Sequence, residues 1–297
     1  MRYNLTMMGR RPGSALATQS QRAAPPSRRA FLKGALGIGL GALTGASAHG
    51  FLYERHHLEL TRSGFPVPGL PEALRGLRVG FLTDIHRSQT VSHEMVSAAV
   101  RMLMAERPDL IVLGGDYVTW GDRRYVKPAA EALAPLAAPS GVIAVLGNHD
   151  DDRDMPAALA ATGFTVLRDA HTRLMVRGEP MDFVGIRYWT RKVTEIARLL
   201  RGTVPHTILL AHTPMRLFEA QQLAIAAVLS GHTHGGQIVL PGIGAVAARE
   251  FPVIAGLARR QDTTIFVSRG VGTVYVPIRI NCPPEVAVLT LEPTLKP

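Results

Sequence analysis

Five short polar clusters, each standing at the end of an apolar run, constrain this chain more than any other feature. They are Asp84-Ile85-His86, Gly115-Asp116, Gly147-Asn148-His149-Asp150, His212 and Gly231-His232-Thr233-His234-Gly235-Gly236. Apolar runs that alternate with amphipathic stretches mark strands feeding helices, and ligand sites gather at strand ends along one edge of an α/β sheet. The pattern predicts strands over 77–83, 110–113, 142–146, 174–176, 181–186, 207–211, 226–229, 237–240, 264–267 and 286–291. It predicts helices over 92–106, capped by Ser92, over 125–138 in spite of Pro128 and Pro135, and over 156–161, 193–200 and 215–223. After residue 70 there is no internal repeat, low-complexity tract or linker, so these elements share one α/β core. The 297 residues, 46% hydrophobic with a single cysteine, exclude disorder, a collagen-like fibre and a disulfide scaffold.

The clusters are rich in metal-ligating side chains. In Asp84-x-His86 the period-2 rule sends a carboxylate and an imidazole to one side if the strand continues, and His232-x-His234 offers two imidazoles in the same way. Glycines beside Asp116, Asn148, His232 and His234 permit tight turns and close backbone approach. Mixed Asp, Asn and His ligation suits divalent Mn, Fe or Zn, and one cysteine argues against a structural zinc or iron–sulfur site.

The formal charge of +10 is concentrated at the start of the chain. Residues 1–48 hold seven basic residues (Arg2, Arg10, Arg11, Arg22, Arg28, Arg29, Lys33) and no acid, leaving 26 basic against 23 acidic residues beyond. No basic stripe interleaved with aromatics follows, so no nucleic-acid partner is expected. Ser27-Arg28-Arg29-Ala30-Phe31-Leu32-Lys33, an apolar run over 34–46 and then Ala46-Ser47-Ala48 resemble a bacterial twin-arginine (Tat) signal with a small-residue cleavage site. The reading divides the chain into a Tat-type signal over 1–48 and one domain over 49–297. It implies the Tat machinery as a partner and a place in the periplasm or on the outer face of the cytoplasmic membrane. The apolar run of about 13 residues is short for a spanning helix, although such segments sometimes stay as anchors.

Taken in order, Asp-x-His, Gly-Asp, Gly-Asn-His-Asp, His and Gly-His-x-His resemble the calcineurin-like metallophosphoesterase superfamily over residues 77–291. Ser230–Gln237 by number, Arg269-Gly270-Val271-Gly272 and Cys282-Pro283-Pro284-Glu285 are similar to a subgroup of Tat-exported bacterial phosphodiesterases related to UDP-2,3-diacylglucosamine hydrolases. The resemblance implies a four-layer α/β/β/α sandwich of two mixed β-sheets flanked by helices, and two adjacent divalent metals. Asp84, His86, Asp116 and His234 would hold the first metal, and Asp116 would bridge to a second held by Asn148, His212 and His232. A solvent-derived hydroxide would attack phosphorus, while His149 stabilises phosphoryl charge or protonates the leaving oxygen and Asp150 orients His149. Arg87, where relatives carry a small or apolar residue, reads either as a phosphate clamp or as a solvated loop residue. The stretch 240–257, rich in Gly, Ala, Pro and aliphatic residues, reads as an apolar lip for an acyl chain or as ordinary core and hairpin. The implied substrate is an envelope phosphodiester, lipid-linked or a nucleotide-sugar lipid, with peripheral or anchored membrane association. A phosphomonoesterase acting on nucleotides or phosphoproteins, or a metal-holding binding module, are the alternatives.

Overall fold

The computed structural model describes residues 27–294, which fall into two units divided between Leu43 and Thr44. The leader residues Arg2, Arg10, Arg11 and Arg22 lie outside the described residues. From Arg28 the chain is helical (α1, Arg28–Leu52). The helix extends past the apolar run, and the stretch Ala35–His56 is long and apolar enough to cross a membrane by length and composition.

Among the described residues the second unit holds two six-stranded sheets and a two-stranded ribbon. The first sheet contains β1 (Glu59–Pro68), β2 (Arg78–Leu82), β3 (Leu110–Leu113), β4 (Val142–Ala144), β5 (Thr165–Val166) and, far downstream, β14 (Glu285–Thr294). The second contains β6 (Ala170–Val176), β7 (Glu179–Gly185), β8 (Ile208–Leu210), β9 (Ala227–Ser230), β12 (Gly256–Arg260) and β13 (Thr263–Val267). Their orders are β1-β14-β2-β3-β4-β5 and β12-β13-β9-β8-β7-β6, and β10 (Val239–Leu240) with β11 (Gly244–Ala245) makes the ribbon. Both large sheets are mixed: β2, β3 and β4 run parallel, as do β7, β8 and β9, whereas β14 is antiparallel to β2 and β12 to β13.

Strand alternation sorts the apolar side chains into layers. Phe81, Leu110, Val112, Phe183, Leu229 and Phe266 belong to one core cluster between the sheets, with Phe81 edge-on to Phe266 at 6.3 Å. The neighbours Leu82, Ile111 and Leu113 face the other way, against α2 (His93–Ala105), α3 (Val126–Leu133) and α4 (Asp154–Ala161). On the far side Val184, Leu209, Val228 and Ile265 pack against Ile196 of α5 (Val193–Leu199) and Leu217 of α6 (Leu217–Gln222). The α/β/β/α sandwich implied by the resemblance is therefore the architecture.

Several expectations need adjustment. Ser92 caps α2 as expected, accepting from Met95 N. The helix expected over 125–138 stops at Leu133, with Ala134 as its helical cap, because Pro135 has no N–H to continue the ladder. The helix expected over 215–223 begins as a single tight turn (Pro214–Arg216) before α6. Strands β1, β5, β11 and β12 have no counterpart in the sequence reading.

Candidate metal centre

Each polar cluster leaves the carboxyl end of a strand or the turn just beyond it. Asp84 and His86 follow β2, Asp116 follows β3, Asn148, His149 and Asp150 follow β4, His212 follows β8, and His232 and His234 follow β9. Backbone bonds tie neighbouring turns together within each sheet, and a side chain then links the two sheets. Asp84 N donates to Gly115 O at 2.9 Å, His86 N to Asp116 O at 2.9 Å and Gly231 N to His212 O at 2.9 Å. The His212 ring reaches Gly114 O of the other sheet through Nδ1 at 2.8 Å.

The side chains converge, but not by strand alternation. β2 ends at Leu82, and Asp84, His86, Asp116, His232 and His234 all adopt left-handed backbone, with φ of 53°, 49°, 57°, 72° and 50°. Such conformations are uncommon outside glycine, more tolerable for Asp and His, and concentrate at functional sites. Glycine at 147 and 231 is required by space: an added Cβ would overlap Asp116 Oδ1 at the first and Asp84 Oδ2 at the second.

Two clusters result: Asp84, His86 and His234, and Asp116, His212 and His232, each with ligand atoms within 4.8 Å of one another. Asp116 Oδ2 stands 3.1 Å from His212 Nε2 and 3.5 Å from His86 Nε2, between the two groups. Its Oδ1 accepts the His149 backbone N–H at 2.8 Å. Asp84 takes the His232 N–H on both oxygens, at 3.1 and 3.0 Å.

The donor set fits cations. Nε2 of His86 and Nε2 of His234 lie 3.1 Å apart, an arrangement that is repulsive between lone pairs unless a proton or cation stands beside them. Nδ1 of His212 faces a carbonyl and must carry hydrogen, so the neutral ring turns an Nε2 lone pair toward two carboxylates. Asn148 Oδ1 and His212 Nε2 are buried without a hydrogen-bond partner, a cost that ligation by a cation removes. Burial drives His86 down to about 4, His232 to about 3 and His234 well below the usual range, keeping these imidazoles neutral as ligation demands. Burial also lowers His212, but the Asp116 and Asp84 carboxylates raise it more, to about 10. Burial lifts Asp84 to about 6. Asp116, which burial also lifts, is drawn below the usual carboxylate range chiefly by His212.

Two residues depart from the roles implied by the resemblance. Asp150 spends its oxygens on backbone: Tyr117 N at 2.7 Å and Val118 N at 3.3 Å on Oδ1, Asp116 N at 2.8 Å and Gly147 N at 2.9 Å on Oδ2. It fastens the turns that carry Asp116 and Asn148, and His149 is oriented instead by the backbone N–H of Trp120, which donates to Nδ1 at 3.2 Å. Arg87 is neither a phosphate clamp nor a solvated residue. Its guanidinium bonds Ser88 O and Val91 O and lies 5.1 Å over the Tyr125 ring.

Arg279 was not legible in sequence. Fully buried, it donates to Arg269 O, Gly270 O, Gly272 O and Cys282 O. Those bonds hold the loop whose glycines at 270 and 272 press against Asp84 and Ile85. Its partners are main-chain carbonyls, so no spacing of side chains announces them.

A cavity of about 340 Å³ opens beside the two clusters, lined by Asp116, His149, His232 and His234 together with Ile238, Val246, Ala247, Phe251, Val274, Tyr275 and Val276, among others. Part of the apolar stretch over 240–257 thus borders the site, and Phe251 stands edge-on to His232 at 5.2 Å.

Residues 77–236 match the calcineurin-like phosphoesterase family. The metallophosphoesterase YkuE of Bacillus subtilis is 30% identical over 281 residues, covering 90% of this chain and 98% of its own. Phosphodiesterase YaeI of Escherichia coli is 30% identical over 284 residues, covering 89% and 99%. A bovine transmembrane protein with a metallophosphoesterase domain is 29% identical over 288 residues, covering 90% of this chain and 64% of its own. Strand-end Asp and His clusters, the two-sheet sandwich and this similarity agree that the chain belongs to the calcineurin-like phosphoesterase family and is a metal-dependent phosphoric ester hydrolase.

Proposed function

We propose that the protein is a two-metal phosphodiesterase exported by the Tat route, acting at the periplasmic side of the cytoplasmic membrane on lipid-linked phosphodiesters. The observation that carries the chemistry is the pair of ligand clusters meeting at Asp116. Asp84, His86 and His234 would hold one divalent cation, Mn, Fe or Zn, and His212, His232 and Asn148 the other, with Asp116 shared. Cations there would supply Lewis acidity toward phosphoryl oxygens and an activated water near neutral pH.

The chain's own part is positioning and charge stabilisation. Because Nδ1 of His149 accepts the Trp120 N–H, the neutral ring carries its hydrogen on Nε2 and offers a donor to a phosphoryl or leaving oxygen. Burial lowers the His149 pKa, which favours this neutral form and therefore charge stabilisation over proton delivery. Asp116 Oδ1 fixes the His149 backbone, and the four-point grip of Asp150 fixes Asp116.

Ester type is supported by the name of the phosphodiesterase YaeI. A lipid arm is supported by the apolar lining of the cavity and by the long apolar stretch Ala35–His56. The Arg28-Arg29 pair before it supports the export route. The bovine relative is named as a transmembrane protein, in keeping with an anchored reading. The test compares bis(p-nitrophenyl) phosphate with the p-nitrophenyl monoester on full-length protein loaded with Mn, then on Asp116→Asn. Diester turnover that requires metal and falls at least about 100-fold in the variant is expected. Preference for the monoester would transfer the reading to a phosphomonoesterase. Arg28→Lys with Arg29→Lys should retain the protein in the cytoplasm, and unchanged fractionation would remove the export route.

A further inference from the structure

Resting on the phosphodiesterase reading, we propose that Trp120 and Tyr275 form an aromatic clamp that takes a flat-ring ester arm of the substrate, with Gln237 as the residue that positions it. Trp120 is 66% exposed and Tyr275 78% exposed, yet their rings meet edge to face at 5.3 Å. The Trp120 ring also lies 4.5 Å from that of His149. Large aromatic side chains left in solvent this close to the ligand clusters do not serve the core.

Both residues adopt left-handed backbone, with φ of 55° at Trp120 and 60° at Tyr275. For bulky side chains this conformation is a genuine outlier, which persists only where the surroundings enforce it. Here they do. The His149 turn takes the Trp120 N–H on its ring and the Gly121 N–H on its carbonyl at 2.7 Å. Gln237, buried but for 8%, grips the loop on both sides of Tyr275. Its Nε2 donates to Val274 O at 3.2 Å and Val276 O at 2.8 Å, and its Oε1 accepts Val274 N at 3.1 Å.

The pair also divides two spaces. Tyr275 borders the cavity that holds Asp116, His232 and His234. Both rings border an outer groove of about 170 Å³ that includes Ser88, Gln89 and Thr119. A phosphodiester whose phosphate lies at the ligand clusters has two arms to place, and a flat ring on one of them meets Trp120 and Tyr275. Stacking on an aromatic face tolerates many ring chemistries, so the clamp selects for a ring rather than for one compound.

The experiment uses the full-length, Mn-loaded protein. In Tyr275→Ala, KM for bis(p-nitrophenyl) phosphate should rise about tenfold with kcat within threefold, and Trp120→Ala should raise KM by a similar factor. The inhibition constant of inorganic phosphate, which has no arm, should stay within twofold. Trp120→Phe should keep KM near the wild-type value, and Gln237→Glu, which cannot donate to Val274 O and Val276 O, should raise KM as the clamp variants do. A parallel rise in KM and in the phosphate constant, or no rise in either, would overturn the clamp. Binding separates this outcome from failure of the hydrolase reading: in a Trp189→Phe background, diphenyl phosphate should quench Trp120 fluorescence saturably, and Tyr275→Ala should weaken that binding. Quenching without any diester turnover would keep the clamp and sink the phosphodiesterase. Turnover with no quenching and an unchanged KM would do the reverse.

Discussion

Replacing Asp150 with asparagine separates the role implied by resemblance, orienting His149, from the one that the structure gives it, fastening two site turns. The carboxylate accepts two N–H groups on each oxygen. Whichever way an amide is turned, its NH2 faces two of those donors and leaves them without an acceptor. An unsatisfied buried donor costs about 1–3 kcal/mol, so the variant should lose about 3 kcal/mol once the turns have relaxed. Burial and the Asp116 charge push the Asp150 carboxyl up to about 7, so the comparison belongs at pH 8, where the wild-type residue is charged. Urea unfolding followed by circular dichroism should show the midpoint falling by about 1 M or more, given slopes of ~1–3 kcal/mol per molar. Bound metal should fall with it, because the lost bonds hold the Asp116 backbone and the turn that carries Asn148. Stability within about 0.5 kcal/mol of wild type, with a loss confined to kcat, would refute this account and return Asp150 to His149.

Three further outcomes are expected. His149→Gln should lower kcat for an aryl diester about 10²–10³-fold, the scale of one lost charge-stabilising donor, while metal content measured by elemental analysis is unchanged. Arg279→Met should cost about 3–5 kcal/mol in chemical unfolding, and Arg279→Lys should fail to restore it because one ammonium cannot reach four carbonyls arranged around a planar fork. Asp182 is buried, which raises its pKa, but the two bonds from Arg173 and one from Val204 N lower it more, leaving it below the usual range. A folded pKa below the unfolded one adds stability above about pH 4, which is lost as pH falls through the folded value. Asp182→Asn should therefore cost about 1–3 kcal/mol at pH 7, discounted because Arg173 is 46% exposed. The gap between wild type and variant should narrow in unfolding experiments as pH falls below about 4, and a constant gap across pH would contradict this.

What the sequence discloses and what it hides follow one rule. Residues that act through their own side chains at strand ends are legible: the β3 boundaries at Leu110 and Leu113 and the Ser92 cap emerge from apolar pattern and capping chemistry alone. Asp84, His86, Asp116, Asn148, His212, His232 and His234 stand out because so many ligating types sit beside glycine. Residues that act on backbone are not legible. Asp150 looks like a partner of the adjacent His149 until its four N–H bonds are seen, and Arg279 looks like a surface arginine. β1 was missed because Glu59–Pro68 includes Arg62, Gly64, Pro66 and Pro68, which argue against an interior strand. As an edge strand it tolerates proline. The left-handed backbone of the ligands was equally hidden, since period-2 reasoning presumes that the strand continues.

The pairing of β1 with β14 has a consequence in time. The two run parallel over ten register pairs, from Glu59 with Glu285 to Pro68 with Thr294, and Thr61 Oγ1 donates to Glu285 Oε1 across 224 residues. At synthesis rates of about 5–20 residues per second, β1 leaves the ribosome roughly 10–45 s before its partner exists. β14 is also the strand that separates β1 from β2, so until it arrives both of its neighbours present open edges, the kind of surface on which chains pair wrongly. The first sheet is therefore completed only when its last strand emerges, and a chain interrupted before Glu285 leaves the edges of β1 and β2 that face the gap unfilled.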